Sequence, residues 1–122
     1  MINLLRWCIR IAWLAALALG LLIWSGRLGG ALNVHMTLGW VVAAALLILA
    51  VYGLVSGVRI PLAIASLVWA PLTVYVGVMQ NQWMPGGSHW VIEAIHLLLG
   101  IGAIGMAEAL AGGITWAKKS LG

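Results

Sequence analysis

The chain has 122 residues, of which 65% are hydrophobic and 7% charged, with a mean hydropathy of +1.16 and a formal net charge of +4. That length holds about four spans of roughly 20 apolar residues joined by short loops and leaves no room for a separate soluble domain. The basic residues are scattered at segment ends rather than gathered on one face, which speaks against nucleic-acid binding, and the single Cys8 excludes an intrachain disulfide or a Cys-x-x-Cys redox or zinc motif.

A first helix is expected over about residues 4–24. Its Arg6 and Arg10 followed by an apolar run share the layout of a signal peptide, but Ile23-Trp24-Ser25-Gly26-Arg27 has no small-x-small cleavage pattern, so the segment reads as a retained span. Gly26-Arg27-Leu28-Gly29-Gly30 makes a turn before a second apolar segment over 31–55. Ser56-Gly57-Val58-Arg59-Ile60-Pro61 ends it, and Pro61 suits the first turn of a third helix over 61–78. Pro71 inside that helix removes a backbone donor and crowds the preceding turn, so a kink is expected there. The stretch from Gln80 to His89 is the most polar of the chain. A fourth helix follows over 90–111, with Gly112-Gly113 and Lys118-Lys119 at its end. The expected fold is all-α: an integral membrane four-helix bundle, one transmembrane domain over 1–122.

Short cytoplasmic segments collect lysine and arginine. One side of the expected bundle receives Arg6, Arg10, Arg59, Lys118 and Lys119, and the other only Arg27. Both termini are therefore expected in the cytoplasm, in a bacterial or archaeal cytoplasmic membrane. Trp24, Trp83 and Trp90 would mark the outer interface and Trp7 and Trp116 the inner one, as amphipathic rings do at headgroup level.

Two histidines carry the functional signal. His35 and His96 lie in different apolar helices, each in a His-x-x-Leu-Gly element ending at Gly39 or Gly100. An ionisable side chain in hydrocarbon is costly without a partner. At about 1.5 Å of rise per residue, the two lie within roughly one turn of the same depth. The recurrence reads as an internal two-helix repeat, and halves related by an axis along the membrane normal would turn His35 and His96 toward each other. Two imidazoles facing across a bundle core match the axial ligands of a b-type heme, an apolar plate. Glycine at i+4 clears the same helical face, so the porphyrin could approach the backbone at Gly39 and Gly100. Small Ala103 and Ala107 continue the stripe below His96, and Val42, Leu46 and Leu49 do so below His35. Arg27 is the one fixed cation near the outer side and the candidate partner of the heme propionates.

Other readings stand beside this one. The histidines can serve as polar packing residues, with Glu93 satisfying His96. A zinc site can be drawn from His35, His96, His89 and Glu93, although His89 belongs to a loop. Glu108 is expected to pair with Arg10 or Arg59. Tyr75 and Gln80 either reach the cofactor or cap the outer surface, and Gly100-x-Gly102-x-x-Gly105 reads as close helix packing, since no strand precedes it.

A four-helix bundle with histidines on its second and fourth helices resembles one half of heme A synthase, and Glu93-Ala94-Ile95-His96 is similar to the Glu-x-x-His element of that family's heme-ligating helices. The segment Leu32-Asn33-Val34-His35 lacks the glutamate, the outer loops are short, and the cysteine pair of many members is absent. The resemblance implies a heme site, and an enzyme acting on a heme substrate is one expectation. The other is a heme b-binding cytochrome that transfers single electrons near the outer face: two axial histidines leave no open position on iron. Expected partners are membrane lipid, a quinol or a redox protein, with a homo-oligomer or a larger complex as the assembly. A non-redox accessory subunit is the third class.

Overall fold

A computed structural model describes residues 1–122 as four helices: α1 (Ile2–Trp24), α2 (Leu32–Val55), α3 (Ile60–Met79) and α4 (His89–Leu121). Short 3-10 turns at Gly29–Ala31, Gln80–Gln82 and Gly86–Ser88 fill the two loops at one end. All four helices are long and apolar enough to cross a membrane, and there is no strand.

Two helix ends are set by glycine. Gly26 and Gly57 adopt φ of +75° and +68°, a region that only glycine enters at little cost. After α1, the Gly26 and Arg27 amides donate to the Ile23 and Leu22 carbonyls; after α2, the Gly57 and Val58 amides donate to Leu54 and Gly53. Both are Schellman motifs, which satisfy the carbonyls a helix end leaves free.

One sequence expectation changes here. Gly112-Gly113 does not end α4, which runs on to Leu121. Glycine inside a helix costs about 1 kcal/mol but breaks nothing by itself, and buried Leu110, Ala111 and Ile114 hold this turn in the core. The 33-residue helix is about 50 Å long at 1.5 Å per residue, well beyond the roughly 30 Å hydrocarbon layer. Pro71 lies inside α3, which continues across it.

α1 and α3 each pack against α2 and α4 without touching one another, so α2 and α4 face each other across the centre. Fully buried Leu46, Leu49 and Ala50 of α2 meet Ala107, Leu110 and Ala111 of α4 in one cluster. The alanines let the backbones approach closely, which is how helices pack where lipid offers no hydrophobic contrast. Side chains placed about three turns from this seam, toward the loop end, are therefore brought face to face.

The opposite end, with both termini and the α2–α3 turn, carries the charge. Arg6 Nε donates to Glu108 Oε2 at 2.7 Å, and Arg10 donates from Nε and Nη2 to the two Glu108 oxygens at 2.6 and 2.8 Å. Arg59, the other expected partner, lies instead against Gly113, where a Cβ would sit 2.8 Å from its Nε. Glu108→Gln would leave two neighbouring guanidiniums without their shared anion. We expect it to lower the apparent melting temperature in detergent by a few degrees, and by more than Arg6→Gln does, as read by scanning fluorimetry.

Candidate functional site

The site begins with helix spacing. His35 lies in the first turn of α2, and His96 lies two turns into α4, because the longer loop before α4 starts that helix nearer the loop end. Their imidazole centroids come to 6.2 Å, with the ring planes at 73°. Each ring is half-buried.

Each imidazole leans on a glycine of the neighbouring helix. A Cβ on Gly20 of α1 would stand 2.9 Å from His35 Cε1, and one on Gly77 of α3 would stand 2.7 Å from His96 Cε1. Four residues before each glycine comes a carbonyl that faces the same ring. His35 Nδ1 is 2.8 Å from the Ala16 oxygen; since a carbonyl can only accept, Nδ1 is the donor, and Nε2 is the nitrogen that could serve as a ligand. His96 lacks the equivalent bond: the Thr73 carbonyl is near it, but its Nδ1 is buried and reaches no hydrogen-bond partner.

The seam is pinned from both sides by tryptophans. Trp13 of α1 donates its indole N–H to the Gly100 carbonyl, and Trp69 of α3 donates to Leu99, both at 2.8 Å. Trp69 also fills the space above Gly102, where a Cβ would come within 2.5 Å of its ring. Close packing thus accounts for Gly102 of the glycine run in α4, but not for Gly105, where a Cβ would meet nothing within 4 Å.

A cavity of about 140 Å³ opens beside the histidine pair on the α1 side, and a smaller one of about 40 Å³ lies on the α3 side. Both histidines and Gly39 line both; Gly100 and Ala103 line the larger. A Cβ on Gly39 would meet nothing within 4 Å, whereas one on Gly100 would meet only Trp13 Nε1, at 3.8 Å. Gln80 borders both hollows, and its Oε1 is buried without a partner. Tyr75 points elsewhere, packing edge-on against Trp83 at 5.5 Å. Arg27 is exposed in the turn after α1 and does not line the cavity.

Glu93 does not satisfy His96. It lines the larger cavity and pairs with His89, whose Nε2 is 3.9 Å from Glu93 Oε1. No three side chains among His, Cys, Asp and Glu gather as a metal site. That removes the zinc reading, because zinc takes three or four protein ligands.

An imidazole nitrogen binds a metal at about 2 Å and the ring centre lies about 1 Å behind it, so two imidazoles on opposite sides of one ion have centres about 6 Å apart. The 6.2 Å separation of the two rings matches that length. A porphyrin brings four ligands of its own, so two from the protein complete the set. No family model matches the chain, and neither the curated proteins nor the solved structures contain a significant match.

Proposed function

We propose that this chain is a small b-type membrane cytochrome that holds one heme b between His35 and His96 and transfers single electrons near the outer membrane face. The observation that carries the reading is the 6.2 Å approach of two imidazoles inside an apolar seam with hollows on both sides. Heme supplies a one-electron carrier when bound. The protein's own part is to orient and exclude. Ala16 fixes the tautomer of His35, as carbonyls commonly do for ligating histidines. Gly20 and Gly77 set the depth of each ring. Gly39 and Gly100 keep the α2 and α4 faces open, and the tryptophan bonds hold α4 in register.

The internal two-helix repeat gains support from the matching sets Ala16, Gly20, His35 and Thr73, Gly77, His96. The charge distribution supports termini in the cytoplasm, and the proposal takes the cell as bacterial or archaeal, with membrane lipid around the bundle and a quinol or redox protein as partner. A homo-oligomer or a larger complex would supply the rest of the electron path.

A heme A synthase-like enzyme is the second reading, favoured by one observation: Glu93 borders the same cavity as His96. One experiment tests both. Protein purified from heme-supplemented cells should show a low-spin b-type spectrum on reduction, and extracted heme should be unmodified heme b by chromatography and mass. Hydroxylated or formylated heme after co-expression with the farnesylating enzyme, lost in Glu93→Gln, would favour the enzyme. A colourless protein would leave only the accessory-subunit reading.

Arg27 retains the role of propionate partner in this proposal, at the surface. Arg27→Gln should lower the heme midpoint potential, because the cation no longer favours the more negative reduced centre. A screened surface charge contributes up to about 1 kcal/mol, or about 40 mV for one electron. Redox titration reads it, with heme content unchanged.

A further inference from the structure

The cavity has a polar feature that the two histidines do not use. Its loop end is walled by Leu21, Ile23 and Trp24 from the end of α1 and by Leu32 from the start of α2. Within this apolar wall stand two acceptors. Gln80 Oε1 is buried and unpaired, and Glu93 lines the same space. A buried acceptor without a donor is a standing cost, and it is removed by a ligand that brings a hydroxyl on a flat apolar body.

We propose that the loop-end mouth of this cavity binds the hydroxylated ring of a lipid-borne quinol, with Gln80 Oε1 accepting from one hydroxyl and Glu93 as the second acceptor. The site names the partner of the cytochrome reading and rests on it for its use, although the binding groups are independent of heme. Its chemistry favours the dihydroxy ring over the oxidised dione, which has carbonyls where donors are needed. Glu93 also links the cavity to the surface, through its contact with half-exposed His89, whose Nδ1 lies 3.4 Å from the Trp83 carbonyl. A quinol entering sideways from the membrane would meet α1 and α2 side chains first and the two acceptors last.

The test compares two probes, 2-methylnaphthalene-1,4-diol and its dimethyl ether, in which a methyl group replaces each hydroxyl proton. Each is titrated onto the full chain in lipid nanodiscs, anaerobically and with the protein kept reduced, and bound probe is corrected with empty discs. Wild type should prefer the diol roughly tenfold or more. Gln80→Leu should bring that preference close to one, while Gln80→Glu, an acceptor of the same length, should keep most of it. Equal binding of the two probes to wild type, as expected if a water satisfies Gln80, overturns the proposal. So does a preference that Gln80→Leu leaves unchanged. The visible spectrum of the same samples reports heme separately: a coloured protein with no diol preference loses only the quinol site, and a colourless one that keeps a Gln80-dependent preference loses only the cytochrome.

Discussion

His35→Ala and His96→Ala should each abolish the low-spin spectrum of the reduced protein, and the double variant should be colourless. The expectation rests on ligand count. The protein brings two imidazoles together and no group of three metal-binding side chains, so on the proposed ligation the loss of one would leave iron high-spin and open to carbon monoxide. On the same proposal the wild type should bind carbon monoxide poorly. His89→Ala is the control, since His89 belongs to the loop-end pair with Glu93, and it should leave the spectrum intact. If the two histidines were only polar packing groups, the alanine variants would melt earlier with no spectral consequence, and the wild type would carry no heme.

The sequence reading succeeded where the pattern is local and periodic. Four apolar segments with glycine and proline between them became four helices, with all ends but the last within a few residues of those expected, because hydropathy and Schellman glycines act over one turn. It failed at Gly112-Gly113, where buried Leu110 and Ile114 keep a weak helix-forming pair helical. The facing of His35 and His96 was legible because each precedes a glycine at the same spacing and a comparable depth. Their supports were harder to see. Gly20 and Gly77 each follow a small residue at the fourth position back, Ala16 and Thr73, which is the small-xxx-small signal of close helix approach, but sequence spacing alone does not say that a ring from another helix fills the gap. Trp13 and Trp69 were likewise hidden. Their indole N–H groups must find acceptors inside an apolar bundle, and only the packing shows that those acceptors are on α4. The unpaired oxygen of Gln80 has no sequence signature, since it depends on what fails to reach it.

Gly77→Ala should damage the site more than any other glycine substitution in this chain's histidine pocket. Alanine in place of a helical glycine ordinarily stabilises by about 0.5–1 kcal/mol, so a free position would show a gain. At Gly77 the new methyl would lie 2.7 Å from Cε1, 3.2 Å from Nε2 and 3.3 Å from Nδ1 of His96, across the edge of a ring already in contact. The imidazole must swing away or α3 must move off α4, and either change breaks the 6.2 Å relation with His35. Overpacking of this kind costs about 1–3 kcal/mol, which exceeds the intrinsic gain. Gly20→Ala should be milder, because its methyl presses mainly on His35 Cε1, at 2.9 Å. Gly39→Ala separates protein packing from cofactor packing. Its methyl meets no side chain or neighbouring helix within 4 Å, and Gly39 lines both hollows, so it should leave the heme-free protein slightly more stable than wild type and lower heme occupancy. Thermal melts read beside absorption spectra distinguish the three. A Gly77→Ala protein with wild-type melting and a full low-spin band would mean that His96 does not depend on this contact, and that the glycine is there for helix approach alone.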